Sequence, residues 1–418
     1  MLHKWRTATV AELQAERALL VEDGNHGEQR PRHEEFSLSG VPFIRASDMD
    51  NGRILFSSAS RINQTALTRI RKGIGKPGDV LLSHKGTVGK VAAAPLNCES
   101  FVCSPQTTFW RVLDERKIDR TYLFAYLKSR AFTRQLDSLK GETDMADYVS
   151  LTTQRTLKVI LPPVDEQRVI ASVLGALDDK IELNRRMNET LEALAQSLFK
   201  SWFVDATQSA LPTGWTERAL YDCADYINGA AFRNEHFSAD RQGLPVIKIG
   251  ELKDGITAQT KFCEIEREPK YRINSGDIMF SWSGSPDTSI DIFIWTEGEG
   301  WLNQHIFKIQ FKRPIEKFFV YYLLRHLKPV FIEIARDKQT TGLGHVTGQD
   351  LKRLKTFFPT DDVLEKFNRA VEPLFQKVYS NLHESRTLAA LRAALLPKLL
   401  SGELRVPAAK GLAEAVAT

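Results

Sequence analysis

The chain has 418 residues, too many for one ordinary hydrophobic core, so two or three domains are expected. Its 57 Lys and Arg against 52 Asp and Glu leave a formal charge of +5 and a pI near 8.9, which permits an anionic partner without demanding one. No run of 18 apolar residues is present, which argues against a membrane-spanning helix. The opening MLHKWRTATVAEL lacks the apolar region of a secretion signal, and Cys98, Cys103, Cys223 and Cys263 carry no zinc spacing, so reduced thiols in the cytoplasm are expected.

In chain order, the first signals are strands. Val41-Pro42-Phe43-Ile44-Arg45 is a short apolar run bounded by turn residues, and Asp79 to Ser83 follows a Gly-Asp turn. Nine basic residues lie between Val41 and Lys90 (Arg45, Arg53, Arg61, Arg69, Arg71, Lys72, Lys76, Lys85, Lys90), opposed only by Asp48, Asp50 and Asp79. Such a front fits phosphate contacts; a solvated basic face is the alternative. The turn Ser83-His84-Lys85-Gly86-Thr87-Val88-Gly89-Lys90 joins small residues that admit close backbone approach to Lys and Thr donors suited to phosphates or base edges, although a plain tight turn has the same look. Thr121 to Phe132 reads as a short helix. Leu161-Pro162-Pro163 then stops the chain, because proline fixes φ and restricts the residue before it.

Residues 165–203 follow as one long helix. Steps of four and three land on Ile170, Leu174, Leu177, Ile181, Asn184, Asn188, Leu191, Ala195, Leu198 and Trp202, the 3.5-residue period of a coiled-coil seam. Only Gly175 opposes a helix, at about 1 kcal/mol. A rod of roughly 58 Å cannot bury its own stripe and needs a partner.

That partner recurs 197 residues later: Phe367, Val371, Leu374, Val378, Asn381, Ser385, Leu388, Arg392, Leu395, Leu399. Even the polar pair recurs, Asn184 and Asn188 answering to Asn381 and Ser385, and a polar seam residue pins register at a cost in stability. The repeat extends into the globular parts. Gly78-Asp79-Val80-Leu81 returns as Gly276-Asp277-Ile278-Met279, Pro105-Gln106-Thr107-Thr108-Phe109 as Asn303-Gln304-His305-Ile306-Phe307, and Tyr148-Val149-Ser150 as His345-Val346-Thr347. Lys4-Trp5 corresponds to Gly214-Trp215, Leu244 to Ile249 and Asp277 to Ser281 read as strands, and Lys317 to Ile334 as a short helix. The second turn, Ser281-Trp282-Ser283-Gly284-Ser285, keeps the small polar frame with other side chains. Pro373 is expected to kink the second long helix or delay its start, and Ser401-Gly402 to close it.

Two copies of one unit therefore make the chain. The expected class is α+β: two mixed α/β domains separated by two long antiparallel coiled-coil helices, with a pseudo-twofold repeat. The expected bounds are 1–160 and 211–359 for the domains, 161–210 and 360–406 for the helices, and 407–418 for a loose tail. A twofold pair of similar faces suits a double helix with two half-sites at fixed separation. Catalytic patterns fail: Gly89-Lys90 has His84 where a phosphate loop needs Gly, Gly75-Lys76 fails at Ile70 and Pro77, and no Asn-Pro-Pro or Asp-Pro-Pro with a following aromatic marks an amino-methyltransferase. The nine His pair with no Cys or Asp at metal spacing, so no metal or catalytic centre is expected.

Leu161-Pro162-Pro163-Val164-Asp165-Glu166-Gln167, leading into Ala176-Leu177-Asp178-Asp179-Lys180-Ile181-Glu182-Leu183-Asn184 and on to Leu198-Phe199-Lys200-Ser201-Trp202-Phe203, resembles the central conserved region of type I restriction-modification specificity subunits. The stretch from Leu391 to Val406 resembles the distal one, and the two Gly-Asp turns resemble the framework of the target recognition domains; Ser281 to Ser285 departs by lacking the usual basic-Gly turn. The resemblance implies a non-catalytic chain in which each target recognition domain reads half of a bipartite site in double-stranded DNA. The helices would set the gap and dock two modification subunits, which would bind S-adenosylmethionine and methylate adenine N6. Restriction subunits, with ATP and Mg2+, would add translocation and cleavage. Candidate DNA contacts are Arg45, Ser83, Lys85, Thr87, Lys90 and Gln106 in the first copy, and Lys248, Trp282, Ser283, Ser285, Gln304 and His345 in the second. Alternatives are a related bipartite-cutting or methylation-only system, an unusual modification enzyme, and a duplicated scaffold that does not touch DNA.

Overall fold

The first and last strands of each repeat pair with each other, so each domain is closed before its long helix begins. A computed structural model describes residues 5–139, 147–208, 210–339 and 343–404; Lys4 and the expected tail over 407–418 lie outside the described residues. Two compact units divide the chain, residues 1–179 with 389–418, and residues 180–388. No helix among the described residues is long and apolar enough to cross a membrane.

In the first unit, Arg6–Thr9 runs antiparallel to Lys158–Leu161, from Arg6 opposite Leu161 to Thr9 opposite Lys158. A six-stranded sheet has the order Leu19–Asp23, Thr107–Val112, Val80–Ser83, Val91–Ala93, Arg53–Ile54, Met49–Asp50. A five-stranded sheet has the order Phe36–Ser37, Arg61–Ile62, Val41–Ile44, Phe101–Cys103, Ile74–Gly75. Ile44, Leu81, Phe101 and Phe109 fill one core cluster, and Phe43, Ile62 and Val102 another. The Gly-Asp turn has a clear cause. Gly78 adopts a φ of +83°, open to glycine at no steric cost, while Asp79 accepts from Lys76 N–H at 2.7 Å and is held by both ends of the Arg111 fork at 2.8 and 2.7 Å.

The second unit repeats this plan. Thr216–Ala219 closes on Lys355–Phe358. One four-stranded sheet has the order Ala224–Asn228, Ile306–Phe311, Ile278–Ser281, Asp291–Ile294, and another Phe262–Cys263, Leu244–Ile247, Gly300–Leu302, Arg272–Ile273. Gly276 takes a φ of +94° and Asp277 accepts from Asn274 N–H at 2.8 Å, so the same turn chemistry builds the same corner. The expected single helices are each two. Arg120–Leu127 and Arg130–Leu139 are split where Ser129 Oγ accepts from Phe132 N–H at 3.2 Å. Lys317–His326 and Lys328–Asp337 are split just ahead of Pro329, whose ring suits a first turn and not a helix interior.

The long helices are Val164–Phe199 and Asp361–Ser401. In the first unit Ile170, Leu174, Leu177, Leu395 and Leu399 are buried, and the charged seam residue Arg392 meets Asp178 at 2.8 Å. In the second unit Asn184, Ala195, Phe367, Val371, Val378, Asn381 and Leu388 are buried, with Ile181, Asn188, Leu191, Leu198 and Leu374 half-buried. Asn184 Nδ2 donates to Glu384 at 2.7 Å and Ser385 at 3.3 Å, and Asn381 Nδ2 donates to Asn188 Oδ1 at 2.8 Å. As one helix advances from 184 to 188 its partner retreats from 385 to 381, so the pairing is antiparallel. Two details differ from the periodic reading. Pro373 does not delay the start of its helix, which runs from Asp361; it faces solvent while Val371 and Phe375 carry the packing. Beyond Phe199 a π-helical turn, Lys200–Val204, adds a residue to the repeat and rotates Phe203 into the core, leaving Trp202 half-buried. Gly402, at φ +73°, follows the helix end as expected.

Asn381→Ala should lower the urea midpoint of the second unit by the equivalent of about 1–2 kcal/mol, since it strands a partly buried amide. Asn188→Ala combined with it should cost clearly less than the two losses added, and strict additivity in a double-mutant cycle would refute the pairing. A pH effect follows from Glu35, whose carboxyl is held down to about 2 by the Arg69 guanidinium and the Arg32 N–H. A lowered carboxylate pKa stabilises above the unfolded value of about 4.3 and loses that contribution as pH falls towards 2. Glu35→Gln should therefore flatten the acid limb of unfolding below pH 4 and leave behaviour at higher pH without this pH dependence.

Candidate nucleic-acid interface

In each unit three loops meet at the end of one central strand. In the first unit the strand Val80–Ser83 runs into the turn 84–90. Gly86 and Gly89 take φ of +78° and +100°, and the turn closes through Gly89 N–H to Ser83 O at 2.9 Å and Ser83 N–H to Lys90 O at 2.8 Å. His84 N–H donates to Gln106 O at 2.9 Å, which ties in the loop 103–107. Val149 N–H donates to His84 O at 2.9 Å, and Lys85 bridges to Tyr148, which ties in the segment 147–150. The second unit repeats the three ties between loops. Trp282 N–H donates to His305 O at 3.4 Å, Val346 N–H donates to Trp282 O at 2.8 Å, and Ser283 pairs with His345.

The sheet register corrects one expected equivalence. Thr107 stands opposite Ser83, and Ile306 opposite Ser281. Phe109 therefore corresponds to Lys308 rather than to Phe307, and Gln106 to His305 rather than to Gln304. The close approach of Gly24 and Gly229 agrees: Gly24 N–H donates to Thr107 O and Gly229 N–H to Ile306 O, where a Cβ would lie 1.8 Å from Ser104 O and 2.2 Å from Asn303 O.

Among the sequence-derived contacts, Lys85, Thr87 and Gln106 are exposed and stand together on the first unit's loops. The Lys85 ammonium lies 5.8 Å from the Tyr148 ring. Ser83 is different: its side chain is wholly buried and its Oγ accepts from Lys90 N–H at 2.8 Å, so it shapes the turn and does not face a ligand. Lys90 sends its Nζ back to Ala46 O and Met49 O at 3.2 and 3.1 Å, which fastens the turn to the neighbouring corner. In the second unit Ser283 and His345 share the short ladder, Ser285 is exposed, and Gln304 is half-buried beside His305. Trp282 lies stacked on Phe307, centroids 5.4 Å apart, with its indole N–H donated to Asn228 Oδ1 at 3.0 Å. Its indole N–H is therefore already used within the fold, and the ring is half-buried.

Arg45 and Lys248 occupy matching corners. Each follows a central strand, gives its N–H to a carboxylate three residues on (Asp48 at 2.8 Å, Glu251 at 3.0 Å), and lays its cation near an aromatic ring, Phe36 at 5.4 Å and Phe237 at 5.1 Å. The basic front of the first unit is smaller than its sequence count. Arg61 meets Glu99 at 2.9 Å and Arg69 meets Glu35 at 2.7 Å, partners that lie outside the window from Val41 to Lys90. Two exposed residues escaped the sequence reading, Tyr148 at 45% exposure and His305. Tyr148 was visible as part of the repeat, whereas the one-residue shift in register hid His305.

His84 lies beneath this surface, 2% exposed. Its Nδ1 is 3.0 Å from Val149 O and its Nε2 3.3 Å from Asp23 Oδ1. Burial pushes the imidazole below its usual value, against the pull of Asp23. No group of three or more His, Cys, Asp or Glu suited to a metal occurs among the described residues. What the loops offer outward is a lysine cation, amide and hydroxyl groups and ring edges, the equipment for phosphate oxygens and base edges.

Comparison with known proteins gives a consistent result. The family model described as the type I restriction modification DNA specificity domain matches residues 25–193 and again 212–366. The MjaIX specificity subunit of Methanocaldococcus jannaschii is 27% identical over 395 residues, covering 89% of this chain and 88% of that protein. The HindI specificity subunit of Haemophilus influenzae is 23% identical over 444 residues, covering 87% and 94%. A crystal structure of a type I restriction-modification S subunit from M. genitalium shares the fold, with a TM-score of 0.54 at 16% identity, covering 94% and 96% of the two chains. Two matches to one domain, one on each repeat and together spanning most of the sequence, establish that the chain belongs to the type I restriction-modification DNA specificity family.

Proposed function

We propose that this chain is the non-catalytic, DNA-reading subunit of a type I restriction-modification complex working in the cytoplasm, each recognition domain reading one half of a bipartite, asymmetric site. The observation that carries this reading is the conserved loop frame with unlike side chains. One backbone pattern presents Lys85, Gln106 and Tyr148 in the first unit, and Ser283, His305 and His345 in the second. A frame kept while its contents change is what two readers of different sequences require. Family membership supports the subunit role.

In this reading Lys85, Thr87 and Gln106, with Tyr148, face DNA in the first domain, and Arg45 contacts the backbone from its corner. Ser283, Ser285, Gln304 and His345, with His305, face it in the second, with Lys248 at the matching corner. The long helices set the gap between half-sites and dock two methyltransferase subunits. Those subunits bind S-adenosylmethionine and methylate adenine; any restriction subunits bring ATP and Mg2+. This chain supplies recognition and spacing.

Lys85→Gln, in the full chain assembled with modification subunits, should weaken binding to the cognate duplex and reduce the slope of log affinity against log salt by about 1. An unchanged slope would remove Lys85 from the phosphate contacts. Gln106→Ala should relax base preference in one half-site only, read from the map of methylated adenines. Inserting four residues into each long helix, beside Asn184 and beside Ser385, adds about 6 Å and should lengthen the gap by about two base pairs. A gap of unchanged length would refute the spacer role.

A further inference from the structure

Loops hold a reading geometry only when something rigid fixes them. His84, at 2% exposure, cannot reach a duplex laid on the first unit's loops, yet it is bound to all of them. Its N–H holds Gln106 O, its C=O holds Val149 N–H, its Nδ1 sits 3.0 Å from Val149 O, and its ring lies 5.5 Å from that of Tyr148. Its other ring nitrogen faces Asp23, the last residue of the strand Leu19–Asp23, opposite Thr108. Lys85 is next in the chain.

The second unit keeps the arrangement and changes the chemistry. Trp282 makes the same two backbone links, and its indole N–H reaches Asn228, the last residue of the strand Ala224–Asn228, opposite Phe307. Thr108 and Phe307 are equivalent in the sheet register. In both units, then, an aromatic ring bearing nitrogen is set against an Asp or Asn side chain at one place in the sheet, directly before the reading turn.

We propose that His84 with Asp23, and Trp282 with Asn228, are positioning residues for half-site reading: they touch no base and fix where the exposed loop side chains stand. Replacing a pin alters discrimination in its own half-site alone. The inference rests on the reading of each unit as a half-site reader.

The test maps methylated adenines in DNA from cells that make the full chain with the modification subunits of its host. Absence of a two-part motif with the wild-type chain overturns the half-site reading and the positioning role with it. With such a motif present, His84→Phe, which keeps a ring and loses its nitrogens, should relax discrimination about tenfold at one or two positions of one half. His84→Asn, whose amide keeps a donor beside Val149 O, should stay within about threefold of wild type. Trp282→Phe should relax the other half instead. Asp23→Ala removes the ring's partner without entering the core and should relax the same half as His84→Phe, which keeps the test decisive if His84→Phe does not fold. Relaxation of both halves alike, no change with either His84→Phe or Asp23→Ala, or failure of His84→Asn to restore selectivity overturns the positioning role while leaving the half-site reading intact.

Discussion

The backbone of one residue in each domain holds three loops together. At His84 and at Trp282 the backbone N–H and C=O leave the strand ladder and bind two other loops, one through Gln106 or His305 and one through Val149 or Val346. A backbone group buried without a partner is costly, so these bonds are effectively obligatory once the core has formed. They make the loops a single body. Side chains on that body can change freely, because the links below them involve no exposed side chain.

This division of labour explains how two copies of one unit can carry different surfaces. The Gly-Asp corner, the closing ladder and the close approach at Gly24 and Gly229 depend on backbone geometry that few residues permit. Those features are kept. Lys85 against Ser283, and Tyr148 against His345, lie outside such constraints and have diverged.

The long helices face a related problem. A purely apolar stripe buries well in several registers, whereas an amide must find a partner. Asn184 with Glu384 and Ser385, and Asn188 with Asn381, admit only one alignment. Stability is given up at these positions in return for a defined register.

The sequence by itself determined the duplication, the helix seam and the strands that frame the loops. Each rests on local rules: a 3.5-residue period, apolar runs between turn residues, and a glycine where φ must be positive. The family resemblance, too, was carried by contiguous motifs such as Leu161-Pro162-Pro163. Tertiary structure alone decided the rest. The one-residue shift that matches Gln106 to His305 is set by pairing across the sheet, and no local pattern records it. The burial of Ser83, the occupied indole of Trp282 and the approach of the His84 ring to Asp23 depend on contacts between residues far apart in the chain. A side chain's chemistry can be read from its letter, but whether that chemistry is free for a ligand or already spent inside the fold depends on neighbours that only folding supplies.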